Sequence, residues 1–152
     1  MSTTLYNAEI LRMAAGIQHH ARLADPHATA ERRSPICGSR VTVDVILGPD
    51  GRVAEVGLLV RACALGQASS AMLAAEVLGK LPAELAAARD AVAAWLASGE
   101  GEAPDWPGLH LFTPALPHSA RHASIRLAFE AAAEAADAAA RRCWRAGCSA
   151  TR

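Results

Sequence analysis

Two cysteines, Cys37 and Cys63, stand at the ends of a stretch that reads as a strand, a tight turn and a returning strand. Val41, Val43, Val45 and Leu47 alternate with Thr42, Asp44 and Ile46, the period of a strand with one face toward a core. Gly48-Pro49-Asp50-Gly51 is a turn by composition, and Val53 to Val60 form the return. Strands joined this tightly are antiparallel neighbours. With the turn centred on Asp50, opposed residues have numbers summing to about 100, within a slip of one or two. Cys37 is then expected opposite Cys63. Opposed side chains have Cβ atoms about 4.5–5.5 Å apart, so both sulfurs can reach one ion or cluster. Thiolates are soft donors suited to zinc, copper(I) or iron–sulfur clusters. Two core cysteines or a redox disulfide are the other readings the pair leaves open.

The other candidate groups carry less. Cys143 and Cys148 are five residues apart on an expected helix, a step that points side chains well apart. They also stand roughly 30 Å along that helix from His122, so they read as tail cysteines. His19, His20, His27 and His110 have no partners by spacing and read as surface. His118 precedes His122 by one turn and is a weaker candidate donor. Lys80 and Glu76 are ordinary helix-end residues, and nothing resembles a Ser-His-Asp set or a phosphate loop. Formal net charge is zero, and Arg32-Arg33 and Arg141-Arg142 are isolated pairs. No basic stripe along the sequence points to nucleic acid. The start of the chain lacks the pattern of a signal peptide, and no apolar run approaches the roughly 18 residues of a membrane span. A cytoplasmic protein is expected, whose thiols stay reduced and available.

The elements that must position these residues follow from pattern. Tyr6, Ile10, Met13 and Ala14 mark a short helix ending near Gly16. A loop around Pro26 leads to a short edge strand near Ala28 to Arg33. Ser69-Ser70 offer an N-cap to a helix carrying Met72, Leu73, Val77 and Leu78 and closed by Gly79. Pro82 opens the next helix, with Leu85, Val92, Trp95 and Leu96 on its apolar side and an end near Ser98-Gly99. Gly99 to Gly108 is a polar connector. A last helix is expected from about Ser119 to Arg145, with Ile125, Phe129, Ala132, Ala136 and Ala140 as its buried stripe. Half the residues are apolar but few are aromatic, so the core is thin and largely helical. The order argues for one α+β domain over 1–152, with helices on one face of a small antiparallel sheet and a disordered tail at about 146–152.

The block "PICGSRVTVDVILGPDGRVAEVGLLVRACALGQASSAMLAAEVLGK" resembles the U-type iron–sulfur cluster scaffold family, the NifU N-terminal, IscU and SufU group. The likeness rests on "CG" before the strand, the "DG" hairpin, the cysteine followed six and seven residues later by "SS", and the helix ending in "GK". It extends more weakly to "LYNAEILRMAAG" and "LPHSARHASIRLAFEAAAEA". It implies a three-stranded antiparallel sheet carrying helices. It also implies a role: sulfur is received from a cysteine desulfurase, a [2Fe-2S] cluster is assembled, and the cluster passes to apoproteins. Some members hold zinc at the same site, and the SufU branch is a zinc-dependent sulfur acceptor.

Cys37 and Cys63 match the first two family cysteines. Ser39 stands where the family usually has aspartate. Counting from Pro117 places His122 at the third family cysteine and Arg121 at a basic position. A one-residue shift would put Ala123 there instead, and in either count the third thiol is absent. The expected metal ligands are therefore Cys37, Cys63 and His122, with water, Ser39 or a partner's residue completing the set. Cysteine–histidine ligation of a two-iron cluster has a precedent in Rieske centres, and two sulfurs with one nitrogen also suit zinc with an open position. A scaffold is expected before an enzyme. The alternatives are a zinc-dependent sulfur acceptor using Cys63 or Cys37 as nucleophile, or a degenerate member acting only through protein contact. A homo-oligomer completing the cluster across a dimer is also open.

Overall fold

The computed structural model describes residues 7–35 and 38–145. Cys37, Cys148 and the expected tail lie outside the described residues, as does the side chain of Cys143.

Helix α1 spans Ala8–Ala15. The Asn7 side chain caps it by accepting the Ile10 N–H at 2.9 Å, and Ile10 and Ala14 are buried. Strands β1 (Ala28–Arg33), β2 (Arg40–Leu47) and β3 (Val53–Arg61) form one antiparallel sheet in the order β1-β2-β3. Arg40 faces Arg61 and Ile46 faces Glu55, one position off the register expected for a turn centred on Asp50. The offset has a local cause. Gly48 to Gly51 close a turn, with the Gly51 N–H on the Gly48 carbonyl at 3.0 Å, and Gly51 follows at φ 79°. That extra left-handed residue is a bulge, and the ladder shifts between Ile46 and Leu47.

Helix α2 spans Ala64–Glu76, α3 Pro82–Ser98 and α4 His122–Arg145. Short 3-10 helices at Leu109–Ala115 and Ser119–Arg121 lead into α4, so the segment expected as its first turn is wound more tightly. Glu84 reaches back from the first turn of α3 to accept the Leu81 N–H at 2.8 Å. Val41, Val43, Val45, Val56, Leu58 and Val60 turn one sheet face to a core shared with Ile125 and Phe129 of α4 and Leu65, Met72 and Leu73 of α2. Helix α4 lies across β1 and β2, α2 packs on α4 and β3, and α3 packs on the outer side of α4. The fold is α+β with its helices on one sheet face, as the pattern implied. The polar connector does more than join helices. Its Trp106 is buried, donates its indole N–H to the Met72 carbonyl at 2.8 Å, and meets Phe129 edge-on at 5.2 Å.

One expectation is corrected. Ser69-Ser70 do not cap α2, because the helix begins six residues earlier. Cys63 takes extended backbone angles (φ −67°, ψ 173°) and occupies the N-cap position. Both serines are fully buried inside the helix. Ser70 Oγ donates back to the Gly66 carbonyl at 2.8 Å, and Ser69 Oγ donates across to the Ile125 carbonyl of α4 at 2.6 Å. Among the described residues, no helix is long and apolar enough to cross a membrane.

Candidate functional site

Of the described candidate donors, Ser39 and Cys63 stand at one end of the β2–β3 pair. Ser39 immediately precedes β2, and Cys63 follows β3 after Ala62. The β1–β2 loop, to which Cys37 belongs in sequence, is pinned at its base. The Ser34 N–H donates to the Ser39 carbonyl at 2.9 Å, and the Gly38 N–H to the Ser34 carbonyl at 3.3 Å. Gly38 holds φ 74°, a left-handed conformation that L side chains rarely adopt. Ser39 is 4% exposed.

Cys63 is a free, half-buried thiol. Its carbonyl accepts the first helical bond from the Gln67 N–H at 2.9 Å, but its side chain makes no capping bond. The sulfur is therefore not spent on starting α2. The N–H groups of a first helical turn lack intrahelical partners, and the helix dipole is positive there. Both features favour an anionic ligand bound at this position.

His122 is the first residue of α4 and is 7% exposed. Its Nε2 lies 3.0 Å from both the Ala115 and Leu116 carbonyls. Two acceptors facing one nitrogen require that nitrogen to carry the hydrogen. Nε2 is thus committed to anchoring the 3-10 segment, and only Nδ1 is left as a possible metal donor.

Cys63 and His122 belong to two helices whose first turns cross in contact. A Cβ on Gly66 would stand 2.6 Å from the Ala62 Cβ just before α2 and in ordinary contact, 3.4 Å, with the Ser124 carbonyl of α4, so glycine is required by the local turn into α2 beside that crossing. The Ser69–Ile125 bond fastens the same crossing one turn further along. Sheet geometry thus brings Ser39 and Cys63 to one strand end, and helix packing brings the starts of α2 and α4 to the same corner. Among the described residues, no three of His, Cys, Asp and Glu converge on one point, so Cys63 and His122 do not complete a metal site without Cys37 or an outside donor. His118 is exposed at the start of the Ser119–Arg121 turn, and His110 is also exposed.

Sequence reasoning missed a charged clamp behind the sheet. Asp44 is fully buried on the face away from the helices. Its carboxylate accepts two bonds from the Arg22 guanidinium (2.6 and 3.0 Å), one from the Thr29 hydroxyl (2.6 Å) and one from the Leu23 N–H (2.9 Å). Burial pushes the carboxyl up, but these donors outweigh it and hold it below its ordinary value. The segment between α1 and β1 is strapped over the sheet by this clamp. Gly57, opposite Asp44 in the ladder, makes room for it, since a Cβ there would collide with the Ala21 carbonyl and Leu23. His20 is exposed, as expected, and His27 half-buried, but both have partners. His20 Nε2 accepts the Val60 N–H at 3.3 Å, and His27 Nδ1 accepts the Leu47 N–H at 3.1 Å. The available signal was an acid in the middle of a Val-Asp-Val strand, which must find donors if both faces are covered.

Residues 5–139 match the NifU-like N-terminal domain family. The chain belongs to the NifU-like family of iron–sulfur cluster scaffolds. A crystal structure of the N-terminal part of a nitrogen-fixing NifU-like protein from Brucella abortus is 40% identical over 90% of this chain and 95% of that one, with a TM-score of 0.84. A proposed iron–sulfur cluster assembly scaffold for the SUF system from Fervidobacterium islandicum shares the fold at 18% identity and a TM-score of 0.78, over 90% of this chain and 99% of that one. No curated protein matches the chain.

Proposed function

We propose that this NifU-like protein is an assembly scaffold for a labile [2Fe-2S] cluster. Sulfur is taken from a cysteine desulfurase, and the cluster passes to recipient apoproteins in the cytoplasm. Cys37 and Cys63 are the thiolate ligands. His122 contributes through Nδ1, and water, Ser39 or a partner's residue fills the last position. The observation that carries this reading is the Cys63 thiol: half-buried, uncapped and seated at the first turn of α2, where that helix crosses the start of α4.

The cluster is cargo, and the donor set suits release. Each thiolate replaced by a neutral donor removes a negative charge that would balance Fe³⁺, so the cluster is held less tightly than by three cysteines. Incoming thiolates of a recipient then displace the ligands one at a time. His122 has little freedom to move, because its Nε2 is tied to two backbone carbonyls. It is the fixed donor, and the cysteines are those that exchange.

Anaerobic reconstitution with iron and sulfide tests the reading. Charge-transfer absorption with equimolar iron and sulfide is the expected result, abolished in Cys37→Ser and Cys63→Ser and weakened in His122→Ala. Stoichiometric zinc with persulfide uptake from a desulfurase would assign the zinc-dependent sulfur acceptor instead. No metal under either condition would leave only a contact role. Unchanged metal content in His122→Ala would remove His122 from the ligand set.

A further inference from the structure

The ladder assembles a charged row that the linear sequence hides. Arg33 pairs with Arg40, and Arg40 pairs with Arg61, so three arginines lie abreast across all three strands. Directly opposed residues share a face. Arg40 alternates with the core-facing Val41, so the row lies on the face away from the helices. The strap covers this face at Asp44 and Gly57 and leaves the row open. The Arg33 side chain is 66% exposed, Arg61 is exposed and Arg40 is half-buried.

Compensation is incomplete. Glu31 accepts a bond from Arg33 Nε at 2.8 Å, and its carboxyl is held below its ordinary range by that bond, with Arg40 adding to the effect. Among the described residues, neither Arg40 nor Arg61 makes an ion pair. Like charges placed directly opposite one another weaken a sheet. The next rung carries Glu31, Thr42 and Leu59, and Leu59 is an exposed leucine. The row also borders the sulfur site: Arg40 follows Ser39, and Arg61 lies two residues before Cys63.

We propose that Arg33, Arg40 and Arg61 form a docking row for an acidic helical segment of a partner protein. Neighbouring strands are about 4.8 Å apart, close to the roughly 5–6 Å between side chains at i and i+4 of a helix. Two glutamates at that spacing meet Arg40 and Arg61 together, and an apolar residue on the same helical face covers Leu59. Nucleic acid fits less well, because the Glu31 carboxylate and Leu59 occupy the rung where a phosphate backbone would continue. The docked helix lies beside Cys63. The row thus holds a partner in position for sulfur or cluster exchange, and its binding does not depend on which cargo the site carries.

The test is a binding titration by fluorescence anisotropy with the full chain. The probe is a labelled alanine-based helical peptide bearing i, i+4 glutamate pairs with leucine on the same face. Binding should weaken with salt, and Arg40→Gln/Arg61→Gln should weaken it about tenfold, the combined effect of two charge contacts. Arg89→Gln/Arg141→Gln, on α3 and α4, should leave it unchanged. The row variant should melt at the same or a higher temperature, since it relieves repulsion. Arg61→Glu, at an exposed position opposite Arg40, should weaken binding at least as much while keeping the parent's circular dichroism spectrum. The proposal is overturned if the α3/α4 variant loses as much affinity as the row variant, or if Arg61→Glu binds like the parent. It is also overturned if a single-stranded DNA 12-mer binds more tightly than the peptide through the same arginines.

Discussion

Asp44 concentrates four donated hydrogen bonds on one fully buried carboxylate, so its removal is felt through every donor at once. Asp44→Asn keeps the shape but loses the charge and turns an acceptor into a donor. The expected cost is about 2–4 kcal/mol, read as a denaturant midpoint, because the Leu23 N–H and the Thr29 hydroxyl are left poorly satisfied. The pH dependence has a definite sign. The folded-state carboxyl titrates below its ordinary 3.8, so its stabilisation is complete above that value and lost as pH falls toward the lower folded one. As pH falls below 3.8 the parent should lose stability that Asp44→Asn does not. Equal acid sensitivity in the two proteins would show that this carboxylate does not carry the effect. At this scale the sequence was readable where chemistry is rare. Two cysteines flanking a hairpin raise metal binding beside core packing and a redox disulfide, and the structure describes one of them, Cys63, as a free half-buried thiol. His122 was legible as a candidate donor, but not as a ring whose Nε2 is already committed to two carbonyls, because those come from a 3-10 segment with no sequence pattern to announce it.

The crossing of α2 and α4 is the element on which the site depends. Gly66 is its contact point, and Ser69 is its fastening. Gly66→Val is expected to collide with Ala62 and to crowd Ser124 of α4, costing about 1–3 kcal/mol in stability, the usual range for an overpacked contact. If the crossing positions the donors, metal content after reconstitution should fall further than that destabilisation explains. Ser69→Ala should cost about 1 kcal/mol by loss of one buried hydrogen bond. Elements with strong local punctuation were read closely: β1 at Ala28–Arg33, and α3 from Pro82 to Ser98. The start of α2 was not, because Cys63-Ala64-Leu65-Gly66 contains no conventional cap and the serines that look like one are spent on tertiary contacts. The register missed by one because a bulge is set by the left-handed Gly51, a detail the turn's composition allows but does not dictate.

The whole molecule is built around small side chains. Ala128, Ala131, Ala132, Ala135, Ala136 and Ala139 of α4 are all buried, and they let that helix lie close to the sheet and to α3. Enlarging one of them, as in Ala132→Leu, should cost about 1–3 kcal/mol and lower the melting temperature by several degrees. The alanine stripe was visible in the sequence. What it could not disclose is the sheet's second face, since a segment with no regular structure covers it. That cover has a consequence for how the protein behaves in a crowded solution. The outer edge of β1 carries Glu31, Arg32 and Arg33, whose charges discourage another strand from pairing there. The outer edge of β3 is charged only at Glu55 and Arg61, with no charged residue from Val56 to Val60. Its Leu58 and Val60 N–H groups are taken up by the His19 carbonyl and the His20 ring, and Val53 exchanges bonds with Gly79 and Lys80. Releasing the strap through Asp44→Ala therefore uncovers a template for strand addition. The variant should self-associate in a concentration-dependent way by light scattering, while Ser69→Ala, which leaves β3 covered, stays dispersed.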